Sequence, residues 1–308
     1  MGPDGIASAS MGITPPRRRG PRFGIGAEGA RSLAIALLSS VIVFGLLAYV
    51  ITNAPGWPRF QAAFLNPDIF WASLPKVVSK FWVNVQLFLI AEVLILCFGL
   101  VLAVARSLQG PAFFPLRLLA TVYVDVFRAL PGLLVIFVLG LGIPALRIPG
   151  VPSEPFVWAV VALTFVYSAY VSEVYRSGID SIHPSQEAAA RSLGLSRWQG
   201  LRFVVLPQAV RRVIPPLLND FIGLQKDTVL VSSIGVVEIF RETQILQAAS
   251  FNFTPYMATA LVFLLVTIPL ARFTDVLLAR EKARRTGVGG AGTRAMEQPG
   301  VRGMGGAG

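Results

Sequence analysis

"LAIALLSSVIVFGLLAYVI", residues Leu33–Ile51, is a run of 19 residues without a charge. As an α-helix it extends about 28 Å, close to the ~30 Å hydrocarbon core of a bilayer. Arg17, Arg18, Arg19, Arg22 and Arg31 precede it, a flank that a secretory signal would share. The apolar stretch is too long for a signal, however, and no small-x-small cleavage site closes it. It reads as a retained membrane anchor. The bulk composition agrees: 54% of the 308 residues are hydrophobic and only 14% are charged, against about a quarter charged in soluble domains.

Working outward, hydropathy gives five further spans, at about Val83–Ala105, Leu118–Gly142, Phe156–Tyr175, Val213–Val237 and Tyr256–Phe273. The fold class is therefore all-α, a polytopic membrane protein with about six transmembrane helices. With the N-terminus in the cytoplasm, 20 of the 27 lysines and arginines fall on the side of both termini and five on the other. That bias fits the positive-inside rule. The net charge of +11 is thus topological, and no nucleic-acid partner is expected.

The organisation follows. Residues 1–29 read as a disordered cytoplasmic tail, 30–55 as the N-terminal anchor and 56–81 as an outer-face segment. Residues 82–280 read as the main transmembrane domain, with a cytoplasmic loop at 180–210, and 286–308 as a disordered glycine-rich tail. Within the outer segment Phe70, Leu74, Val77, Val78 and Phe81 recur at helical spacing beside Trp71 and Trp82. They form either a short interfacial helix or the start of the second span.

Intramembrane charges are functional candidates by default. Asp125 and Arg128 share a helix face and either pair with each other or line a solute path. Lys226 and Asp227 follow Pro215-Pro216, where a broken helix is expected to line a cavity. Glu92 lies alone in its span, and Glu173 and Arg176 read as a structural pair. Cys97 is the one cysteine and His183 the one histidine, so neither a disulfide framework nor an ordinary zinc cluster is expected.

The loop stretch "AAARSLGLSRWQGLRFVVLPQAV" (Ala188–Val210) carries an apolar stripe, Leu193, Leu195, Trp198, Leu201, Val204 and Val205, broken by Arg191, Arg197 and Arg202. A helix that has left the membrane with one apolar face must bury that face on something, lipid headgroups or a protein. Gly194 allows a bend between two short helices, and Pro207 ends the second or begins the next.

Here a resemblance enters. Ala189, Ala190, Gly194, Val204, Leu206 and Pro207 fall on the spacing of the cytoplasmic loop of ATP-binding-cassette importer permeases. "VFRALPGLL" (Val126–Leu134), "YVSEVYRSGIDSIHPSQ" (Tyr170–Gln186) and "LPQAVRRVIPPLLNDFIGLQKDTVLVSSIG" (Leu206–Gly235) are similar to the polar amino-acid branch of that family. The family loop begins with a glutamate where this chain has Ala188; Glu187 sits one residue early, a rotation of about 100° on a helix.

The resemblance implies a five-helix type I permease core preceded by one extra span, in a bacterial cytoplasmic membrane with both termini inside. It implies a coupling helix, with Glu187, Ala189, Ala190, Gly194, Leu195, Trp198, Leu206 and Pro207 on the loop, that docks on a cytoplasmic ATPase dimer. It also implies a second permease copy or sister permease and an extracytoplasmic solute-binding protein. The chain has no phosphate-binding loop of the Gly-x-x-x-x-Gly-Lys-Ser/Thr type. No cofactor is therefore expected on it, ATP-Mg belonging to the partner, and it is not read as an enzyme. The expected function is import of polar amino acids, with Glu92, Asp125, Arg128, Lys226 and Asp227 as a possible substrate pathway. An opine or sulfur amino-acid permease, an ion-driven secondary transporter and a membrane-embedded enzyme are the alternatives.

Overall fold

In the computed structural model, which describes residues 27–295, each of the apolar runs is helical. The chain divides into two units, residues 1–60 and 61–308. In the first, α1 (Ala27–Thr52) carries no charge after Arg31, with a mean hydropathy of 2.6 and no buried residue in its membrane-length window. The hydroxyls of Ser39 and Ser40 both return to the Ala36 carbonyl, at 3.0 and 2.7 Å. A lipid-facing helix needs such internal satisfaction, because hydrocarbon offers no partner.

After the short α2 (Trp57–Phe64), α3 runs unbroken from Pro67 to Ser107, 41 residues or about 61 Å. Phe70–Phe81 is therefore continuous with the helix of the second span and not a separate helix. Asn66 caps α3, its side chain accepting from the amides of Asp68 and Ile69 at 3.1 and 3.2 Å. Then come a 3₁₀ turn (Pro111–Phe113), α4 (Phe114–Ala129), α5 (Gly132–Phe137), a π turn (Val138–Gly142) and α6 (Ile143–Ala145). The single span expected at 118–142 is in fact a bent pair, broken by 108°. Pro131 forces Leu130 into an extended conformation (φ −81°, ψ 139°), which no α-helix accommodates.

Next comes α7 (Pro155–Asp180), and the loop helices α8 (Pro184–Ser192) and α9 (Arg197–Gly200) follow. A π turn (Leu201–Val205) leads directly into α10 (Leu206–Asp227). The helix does not break at Pro215-Pro216; α10 passes through both prolines and gives way at Thr228–Ile234 to a 3₁₀ segment closed by Gly235 at φ 91°. Finally α11 (Ile239–Ser250) precedes α12 (Thr254–Ala295). Helix α12 thus carries helical backbone across residues 286–295, which the sequence reads as disordered. The remainder of both tail readings, residues 1–26 and 296–308, lies outside the described residues.

Among the described residues, four helices are long and apolar enough to cross a membrane, and the bent pair makes a fifth candidate. A further helix, α10, has the length of a span, 22 residues or about 33 Å, but carries Arg211, Arg212, Asp220, Lys226 and Asp227. The core of the second unit lies between α3, α7 and α10, where Leu87, Ala91, Ile95, Ala159, Ala162, Leu163 and Leu224 are fully or almost fully buried. Small residues let the backbones approach: a Cβ at Gly99 would stand 2.8 Å from Val171 Cγ1, and one at Gly178 only 2.1 Å from Val213 Cγ1.

Candidate functional site

The loop between α7 and α10 is built by local chemistry. His183 caps α8, its Nδ1 accepting from the Ser185 amide at 3.2 Å, with Pro184 as the first helical residue. Gly194 ends α8 at φ 81°. The Leu195 amide reaches the Ala190 carbonyl at 3.1 Å and the Gly194 amide the Arg191 carbonyl at 2.9 Å. This pair of bonds is a Schellman termination, and a side chain at 194 would strain the left-handed residue it requires. Ala190 is 3% exposed and faces Gly200, where a Cβ would touch its own at 3.5 Å; α8 and α9 meet through these two small residues.

The turn directs the remaining apolar side chains outward. Leu193 is 82% exposed and Trp198 66%; Phe203 and Leu206 are also exposed, and Leu195 is half-buried. Ala188 and Ala189 are exposed, and Pro207 lies in the first turn of α10. Glu187, one position early, pairs with Arg191 at 2.8 Å. It lines a cavity of about 360 Å³ with Asp180, His183, Leu201 and Val205, so it faces the underside of the loop.

The loop is braced against the spans. Arg212 Nη1 donates to the Ser181 carbonyl at 2.6 Å, and Gln208 reaches Gln186 at 3.2 Å. Glu173 and Arg176 pair, as the sequence suggests, but Glu173 also accepts from Arg106 of α3 at 2.7 Å. Arg176 continues to Asp180 at 2.6 Å.

Of the charges expected along a solute path, the structure gathers some and separates others. Asp125 and Arg128 are both exposed and form no ion pair among the described residues. The Arg128 guanidinium instead lies 6.0 Å from the Tyr170 ring centre, in cation–π range. Tyr170 and Tyr167 have ring centres 6.4 Å apart, and Tyr167 Oη donates to Asp227 Oδ2 at 2.8 Å. Arg128 and Asp227 are thereby joined through two tyrosines that sequence reasoning missed. Lys226 points elsewhere, into an apolar groove with Phe240, Tyr256 and Phe263. Glu92 is half-buried on α3, and Asp220, two turns before Asp227 on α10, keeps Oδ2 buried without a hydrogen bond.

A second polar centre was also missed. Asn84 of α3 is 2% exposed and fully bonded. Its Nδ2 donates to Glu238 Oε2 at 2.8 Å and Thr228 Oγ1 at 3.0 Å, and its Oδ1 accepts from the Ile239 amide at 3.1 Å. Glu238 caps α11, accepting from the amides of Phe240 and Arg241 at 3.0 and 2.8 Å. Complete burial pushes its carboxyl above the ordinary range, while these donors pull the other way.

Comparison with known proteins places this geometry. The family described as "Binding-protein-dependent transport system inner membrane component" matches residues 95–282. The chain is 36% identical over 185 residues to the probable glutamine ABC transporter permease protein GlnM of Bacillus subtilis, covering 59% of this chain and 84% of that one. It is 32% identical over 271 residues to the inner membrane amino-acid ABC transporter permease protein YhdY of Escherichia coli, covering 82% and 72%. Among solved structures, an amino acid ABC transporter crystallised with histidines superposes with a TM-score of 0.62 at 29% identity, over 67% of this chain and 94% of that one.

Proposed function

Because the chain belongs to the family of binding-protein-dependent transport system inner-membrane components, we propose that it is the permease subunit of an ATP-driven importer of polar amino acids. The observation that carries this reading is the loop at 180–210. A Schellman turn at Gly194 holds Leu193 and Trp198 largely in solvent, and leaving such side chains exposed is costly unless a partner covers them. A cytoplasmic ATPase dimer is that partner, and ATP-Mg binds there. The second permease half is another copy of this chain or a sister permease, and a solute-binding protein delivers the amino acid from outside. The chain sits in the cytoplasmic membrane with both termini inside, as its basic residues are distributed.

Closure of the ATPase pushes α8, and the push enters the spans where the loop is braced, through Gln208 to Gln186 of α8, through Arg212 to Ser181 ahead of it, and through the close approach of α7 and α10 at Gly178 and Val213. Along the solute path, Arg128 suits the α-carboxylate and Asp227, held by Tyr167, the α-ammonium.

The test is uptake of a panel of labelled amino acids into proteoliposomes holding the permease, an ATPase of the same transport family and a solute-binding protein from the same organism. Uptake should require ATP and all three proteins. Uptake driven by an ion gradient in the absence of the ATPase would overturn the reading.

A further inference from the structure

Two polar ties between residues far apart in the sequence, Arg106 to Glu173 and Asn84 to Glu238, start from one helix. Arg106 stands in the last turn of α3 and Asn84 lies 22 residues before it, about 33 Å along the axis, the depth of a bilayer core. Between them α3 contains no proline, since Pro75 lies beyond Asn84. Its one glycine in that segment that is buried, Gly99, is closed by Val171. The segment is an unbroken helical strut with a polar tie at each end.

At the inner end, Arg106 is joined to Glu173, with side chains only 13% and 23% exposed. Glu173 also holds Arg176, and Arg176 holds Asp180, which lines the cavity under α8 beside His183 and Glu187. Arg106 makes the only ion pair between α3 and the loop-bearing helices among the described residues. At the other end, Asn84 binds the Ile239 amide and the Glu238 carboxylate that caps α11. A buried tie of this kind resists slippage, because parting it strands a charge or a backbone group without a partner.

We propose that α3 is a tie rod: the Arg106–Glu173 pair positions α3 so that displacement of the coupling loop is transmitted to the N-terminus of α11, and displacement of α11 to the loop. This rests on the assignment of residues 180–210 as the coupling loop. Arg106 and Glu173 act as positioning residues and touch neither solute nor nucleotide. A coupling free energy between two sites is reciprocal, so the same rod reports arrival of a loaded solute-binding protein to the ATPase.

The test has two arms. The full chain in lipid nanodiscs is followed by hydrogen exchange at the amides of Ile239, Phe240 and Arg241, which bond to Asn84 and Glu238. Arg106→Gln, which leaves the Glu173–Arg176–Asp180 pairs in place, should speed exchange there by about fivefold, the scale of a modest through-protein coupling. Glu173→Gln, which also releases Arg176, should do the same, and Arg106→Lys, which keeps a cation opposite Glu173, should hold exchange near the wild-type rate. A change confined to the inner ends of α3 and α7, or an Arg106→Lys protein that exchanges as fast as Arg106→Gln, overturns the proposal.

In proteoliposomes with both partners, Arg106→Gln should abolish stimulation of ATP hydrolysis by the loaded binding protein and leave unstimulated hydrolysis intact. Retained stimulation also overturns it. A wild-type complex without any stimulation would refute the importer reading instead, and the exchange arm decides the tie rod by itself.

Discussion

Gly178→Ala should part α7 from α10 at the root of the coupling loop. The added Cβ would stand 2.1 Å from Val213 Cγ1 and 3.5 Å from the Ala209 carbonyl oxygen. Ordinary contact begins near 3.4 Å, so one wall must retreat by about 1.3 Å, and Val213 is 7% exposed with little room to do so. Overpacking of this size costs about 1–3 kcal/mol, a fall in unfolding midpoint on the order of 5 °C for a chain of this length. Val213→Ala alone removes two methyl groups, about 1.5 kcal/mol of buried surface. In the double variant the new methyl meets Val213's former Cβ position at 3.5 Å, a normal contact. The double variant should therefore be at least as stable as Val213→Ala, with a non-additivity of about 1–3 kcal/mol. Thermal unfolding of the four proteins in one detergent, with ATP-dependent uptake beside it, makes the measurement. Additive losses, or a Gly178→Ala protein as stable as wild type, would refute the packing argument.

Trp198→Ala and Leu193→Ala should abolish coupled uptake while shifting stability by under about 0.5 kcal/mol, because both side chains are mostly in solvent in the isolated chain; uptake and unfolding midpoints measured together check this. Asn84→Leu leaves the Ile239 amide without its acceptor and Glu238 without one donor. A loss of about 2–4 kcal/mol is expected, read as a sharp fall in the yield of monodisperse protein. Tyr167→Phe frees the Asp227 carboxylate from the hydroxyl that holds it. The KM for the transported amino acid should rise on the order of tenfold, the scale of one hydrogen bond to a charged group, and unchanged kinetics would remove this pair from the solute path.

What was legible in the sequence is what depends on neighbours along the chain. Leu33–Ile51 could be read from hydropathy alone, since bilayer thickness fixes the length of a lipid-facing helix. The bend of the loop was legible because Gly194 and Pro207 each act within a turn of themselves. The partnerships of Arg106 with Glu173, Tyr167 with Asp227 and Asn84 with Glu238 were not, because they span 67, 60 and 154 residues. Nothing local distinguishes Asn84 from any other polar residue near the end of an apolar run. The prolines misled in both directions: Pro131 breaks a span that hydropathy treats as continuous, while Pro215 and Pro216 sit inside a continuous helix. A proline inside a membrane helix is tolerated when neighbours and local adjustments re-satisfy the freed carbonyls, and α10 packs against α7 along this stretch.

The wide turn at Leu201–Val205 has a consequence on an evolutionary scale. A π turn holds one residue more than an α turn needs. Deleting a single residue there would close it to ordinary α geometry without orphaning a backbone group, and would swivel everything before it by about 100° relative to α10. The loop's apolar edge can thus be re-aimed by one codon, with α10 itself untouched.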